Sequence, residues 1–93
     1  SFPETCSGRP NAPAKFMASK SGHTITVDWE LPEDGPAPTS YRLDVTGSFV
    51  GTLLTTGRRL SGTVGPGSYD ISVAGTNACG TGTGTIPITV TIP

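Results

Sequence analysis

Charge is scarce in this chain: 14% of its 93 residues are Asp, Glu, Lys or Arg, and the net charge is −1. With a pI near 5.6 there is no basic surface to hold nucleic acid or to lie on an anionic membrane. Long apolar runs are missing too. Nothing approaches the roughly 20 residues that span a bilayer, so membrane insertion is not expected. Metal ligands are few, with two cysteines and one histidine where a zinc site takes three or four ligands. There is no Arg-Gly-Asp, no Asn-x-Ser/Thr sequon, no phosphate loop and no defensible Ser/His/Asp set. No catalytic residue, metal or cofactor is assigned, and the chain is not read as an enzyme. It begins at Ser1, without an initiator Met or a signal peptide, and is expected to be a processed or excised piece of something longer.

What is present is Thr, Ser and Gly, residues that disfavour helix, with Thr also suited to strands. The hydrophobic fraction of 33% allows a thin core in one small domain. No stretch keeps a helical period for three turns, whereas period-two alternation recurs. "HTITVDWE" places Ile25, Val27 and Trp29 on one face, and "YRLDVT" does the same with Tyr41, Leu43 and Val45. "SYDISVAGT" aligns Tyr69, Ile71 and Val73; "TIPITVTI" aligns Ile86, Ile88, Val90 and Ile92. Weaker strands fit "KFMAS", with Phe16 and Ala18 inward, then "FVGTLLT" and "RLSGTV". "SGH", "PEDGPAPTS", "GPGS" and "ACGTGTG" read as turns between them. Seven half-buried strands in so short a chain imply two antiparallel sheets packed face to face, an all-β sandwich. Pro87 cannot donate to a ladder, so the last strand is expected at an edge.

Several polar clusters have a bland and a sharper reading. Glu30, Glu33 and Asp34 flank one connection and are read as a solvated turn, with Ca²⁺ as the alternative; their spacing is irregular for the six to eight oxygens that ion takes. Arg42, Asp44 and Asp70 are expected to form cross-strand ion pairs on an outer face. Arg58 and Arg59 make a two-residue basic spot. Thr85, Thr89 and Thr91 form a ladder that β-propensity explains, with ice matching or O-glycans as alternatives. Cys79, in "TNACGTGTGT", has no nearby base to activate it.

The set "ITVDW", "PAPTSYRLDV" and "GPGSYDISVAGTNACG" resembles a fibronectin type III domain over residues 12–93, leaving 1–11 as an N-terminal extension that carries Cys6. The resemblance implies a seven-stranded immunoglobulin-like sandwich. Trp29 matches the core Trp on the second strand, and Tyr69 matches the Tyr that bonds back to the chain after a Pro-Gly turn. With Tyr41 these are the expected structural core residues. In that fold the start of the first strand and the connection holding Cys79 share a pole, so a Cys6–Cys79 disulfide is expected. Intermolecular pairing or free thiols, and a metal or catalytic role, are the alternatives. The bridge would stabilise by up to roughly 4–4.5 kcal/mol on a chain-entropy estimate, and it implies an oxidising compartment and secretion. The "NACG" variant looks like bacterial extracellular copies of the family.

The resemblance implies a non-catalytic extracellular module, a spacer or adhesion-type domain beside other domains of a secreted or cell-surface protein. Two alternatives stand with it. One is the repeating subunit of an extracellular filament, assembling identical subunits through edge strands and residues Ser1–Thr5. The other is recognition of a glycan or protein through the loops Leu31–Ser40 and Ala78–Gly84.

Overall fold

The structure is a computed structural model and describes residues 8–93. Eight strands follow in chain order: β1 (Ala14–Ser21), β2 (Thr24–Glu30), β3 (Ser40–Gly47), β4 (Gly51–Thr55), β5 (Arg59–Thr63), β6 (Gly67–Asn77), β7 (Gly80–Gly84) and β8 (Ile88–Ile92). One sheet has the order β1-β2-β5; the other runs β4-β3-β6-β7, with β8 also pairing β6. All pairings are antiparallel. No helix among the described residues is long and apolar enough to cross a membrane. Cys6 and the Ser1–Thr5 segment lie outside the described residues.

The alternation in the sequence becomes the inner faces of the two sheets, because successive side chains on a strand point to opposite sides. Ile25, Val27 and Trp29 of β2 face Tyr41, Leu43 and Val45 of β3 and Tyr69, Ile71 and Val73 of β6, all buried. Val90 and Ile92 of β8 complete this core, and Phe16, Ala18, Leu60, Val64 and Ile88 pack at its margin. Trp29 is the centre of an aromatic group, with Phe16 at 6.3 Å and Tyr41 edge-on at 5.4 Å between ring centroids.

The last strand differs from the sequence reading. "ACGTGTG" is not a turn: Gly80–Gly84 is β7, joined to β6 by a tight turn at Ala78 and Cys79. Ile86, expected inward, is 86% exposed. The pairing explains why. Ile71 pairs Ile88 and Ala74 pairs Gly84, so three steps along β6 meet four on its partner. One extra residue is inserted, which turns the side chains around it to the other face. Thr85 fills the gap: its N–H donates to Val73 O at 2.9 Å, and its hydroxyl accepts from Val73 N–H at 3.1 Å. Pro87 therefore falls between two short strands rather than inside one, and β8 runs along the sheet margin, paired among the described strands to β6 alone.

Strand β1 carries a similar irregularity. Its register with β2 shifts between Ala14 and Met17, and Lys15 there takes a left-handed backbone with φ 52°. Its side chain lies 3.6 Å from Glu30 in an exposed ion pair, a contact of little energetic weight.

Candidate functional site

The ends of β6 define two poles. At its C-terminal end the segment from Gly8 to Pro13 crosses the β6–β7 hairpin. Pro10 and Pro13 are buried there. Gly82 makes the crossing possible: a Cβ at that position would overlap the Pro10 carbonyl oxygen. Gly75 is crowded in the same way, between Pro10 and Pro38. Asn77 brackets the two segments. Its Nδ2 donates to Gly8 O at 2.9 Å, and its Oδ1 accepts Cys79 N–H at 2.8 Å. Arg9 Nε donates to Cys79 O at 3.4 Å. Asn11 Nδ2 reaches Asp34, donating to its carboxylate at 2.8 Å and its carbonyl at 3.0 Å. The strap thus ties together the β6–β7 turn and the β2–β3 connection. Sequence reading does not single out Asn77 or Gly82, since neither differs locally from an ordinary turn residue.

At the opposite pole β6 begins. Tyr69, 4% exposed, donates its hydroxyl to Gly65 O at 2.6 Å and so closes the turn before the strand. Gly67 pairs with Ile92 there, where β8 ends. His23 is exposed in the β1–β2 turn at this same pole, and its carbonyl accepts from Val64 N–H at 2.8 Å.

No family model and no curated protein matches the chain in sequence. Solved structures match it closely in shape. The FN5 domain of Drosophila Lar superposes with a TM-score of 0.70 at 20% identity, over 90% of this chain and 97% of that one. A fourth fibronectin type III domain from human gives 0.76 at 16% identity, over 97% and 84%. The chain has a fibronectin type III fold. A structure of titin kinase and its flanking domains matches at TM-score 0.75 and 19% identity, over 92% of this chain but 18% of that one. There the fold is one module of a longer protein.

On this fibronectin type III fold the remaining polar candidates are placed as follows. Glu30 faces Lys15, and Asp34 is engaged by Asn11; no three His, Cys, Asp or Glu side chains converge among the described residues. Arg42 does not reach across to Asp70. It pairs with Asp44 two residues along β3, at 3.2 Å, and Thr52 also donates to Asp44 at 3.0 Å. Asp70 instead accepts from Thr89 at 2.5 Å. Thr91 meets Ser68 at 3.2 Å, and its carbonyl accepts from Lys20 Nζ. The threonines of the last strands are therefore used within the fold. Trp29 and Tyr41 are each 3% exposed, and Trp29 Nε1 is buried without an acceptor. Burial raises the Tyr41 phenol above its ordinary pKa, partly offset by the nearby Arg58 cation. Cys79 is half-buried on its turn.

A third feature lies at the side of the sandwich, between β4 and β5. There the sheets do not close, and an apolar groove of about 110 Å³ opens between Phe49, Leu53, Leu60 and Val64, with core residues as its floor. The Phe49 ring lies over Gly51, where a Cβ would come within 2.7 Å of it.

Proposed function

We propose that the chain is a non-catalytic extracellular spacer module, with its N-terminal segment stapled to the β6–β7 turn by a Cys6–Cys79 disulfide. One observation carries the reading: the described chain comes in at one pole and leaves at the other. Gly8 is bonded to Asn77 at the end of β6, and Ile92 pairs with Gly67 at its start. The 11 residues of β6 separate these points, which at about 3.3 Å per residue is roughly 33 Å. A domain threaded in this way holds its neighbours apart along its long axis, the geometry of a spacer.

The staple has its own support. Gly8 is two residues from Cys6, within about 7 Å of extended chain, and Gly8 and Cys79 are both held by Asn77. No free cysteine stands among the described residues. A persistent disulfide fits an oxidising, extracellular setting. Attachment to neighbouring domains is part of the proposal; the adhesion role follows only if one of those domains is adhesive.

Small-angle X-ray scattering tests the spacer. When the chain is placed between two folded reporter domains, the maximum dimension is expected to rise by about 30 Å over the direct fusion, given the length of β6. A particle no longer than the direct fusion overturns the reading, as does measurable substrate turnover by the isolated chain.

A further inference from the structure

We propose that β4 is a self-pairing edge, through which two copies of this chain join antiparallel into one continuous sheet. This goes beyond the spacer reading and does not depend on the disulfide.

Strand β4 pairs with β3 on one side and with no other described strand. Its outer backbone is open, and it carries no charge, proline or bulge to blunt the edge. Gly51–Thr55 has no charge and no proline, and its register with β3 runs without a bulge from Tyr41↔Thr55 to Val45↔Gly51. The side chains around it are apolar and uncovered: Val50 is 75% exposed, Leu54 76%, Phe49 52% and Leu53 44%. Phe49 and Leu53 border the open groove described above, which exposes hydrocarbon from both sheets.

The occupant follows from the register. Let a second copy pair antiparallel with Leu53 opposite Leu53 on the two-fold axis. Leu54 then faces Thr52 of the second copy, and Thr55 faces its Gly51, so inner faces stay on the same side. On the inner face the row reads Leu43, Leu53, then Leu53 and Leu43 of the second copy, an unbroken apolar line over both grooves. The outer face is complementary in charge. Arg42 lies beside Leu54 and Asp44 beside Thr52. The row through Leu54 therefore runs from Arg42 to Asp44 of the second copy, and the row through Thr52 runs the reverse way. No like charges share a row. Such a contact uses the same patch on both partners, so it closes as a dimer and does not propagate into a filament. The strand is short, and a stable complex usually buries roughly 1,200–2,000 Å². The expected dissociation constant is therefore micromolar, on the order of 10–100 µM.

Sedimentation velocity on the whole chain, from about 1 to about 500 µM, is the test. The expected result is a monomer–dimer equilibrium, weakened at least about tenfold by Leu54→Lys, a substitution at an exposed outer-face position that leaves the core intact. Isotope-filtered NMR on a mixture of labelled and unlabelled chain is expected to show contacts between Leu53 methyls of different copies. A chain that stays monomeric throughout overturns the proposal. So does a dimer indifferent to Leu54→Lys. A monomer whose Leu53 and Leu60 methyls shift under xenon also overturns it, and assigns the groove to small apolar ligands, which apolar cavities of about 150 Å³ accept.

Discussion

Asn77 holds Gly8 directly, its Nδ2 donating to the Gly8 carbonyl at 2.9 Å. The same side chain accepts Cys79 N–H at 2.8 Å, so one amide fixes the strap and the hairpin turn relative to each other. Asn77→Ala removes both bonds and leaves a partly buried donor and acceptor without it. The expected cost is about 1–3 kcal/mol in urea denaturation. Asn77→Asp keeps the acceptor and sets a carboxylate against the Gly8 carbonyl, so it is expected to be no milder. Unchanged midpoints in both variants would remove Asn77 from the account.

Two glycines in one short strand separate close approach from mere composition. Gly82→Ala drives a methyl into the Pro10 carbonyl and is expected to cost about 1–3 kcal/mol by overpacking. A Cβ at Gly84 meets only ordinary contacts, 3.7 Å to Val73 O and 3.9 Å to the Ala74 side chain. Gly84→Ala should be neutral or slightly stabilising. Hydrogen exchange at residues 9–12 is the second readout: it should rise in the Gly82 variant alone.

Tyr69→Phe deletes the bond to Gly65 O at 2.6 Å while keeping the buried ring. The expected loss is about 1–1.5 kcal/mol, seen as a lower denaturation midpoint with an unchanged slope. A variant as stable as the parent would mean that packing alone sets the turn.

Much of this architecture was legible because burial and alternation coincide. On β2, β3 and β6 the alternating apolar residues are the ones that meet in the core. The pattern fails at Ile86, where an inserted residue reverses the faces and Thr85 substitutes its hydroxyl for a backbone carbonyl. A bulge is set by pairing with a distant strand, and no local pattern encodes it. The same holds for Gly82 and Gly75: the need for a missing Cβ comes from Pro10, more than sixty residues earlier, and at Gly75 from Pro38 as well. Arg42 was expected to reach Asp70, but Asp44 is nearer along its own strand and Thr89 already donates to Asp70.

Tyr41 sets a limit at high pH. Burial raises its phenol above the ordinary value near 10. The unfolded chain therefore loses this proton first as pH rises. Stability from the neutral phenol is complete below about pH 10 and falls as pH climbs through the folded-state value. Thermal unfolding measured between about pH 8 and 11.5 should show this decline, and Tyr41→Phe should flatten it. A parent chain whose midpoint is level across that range contradicts the assignment.

A spacer whose path for transmitted force is shortened by the Cys6–Cys79 staple is tested most directly by pulling a single molecule from its two ends. With the staple closed, force can extend only the residues outside the loop, chiefly those after Cys79, so the contour freed should be roughly 50 Å at about 3.5 Å per residue, minus the folded length. After reduction the same molecule should release roughly 300 Å, minus the folded length. A full-length release before any reductant is added would contradict the account.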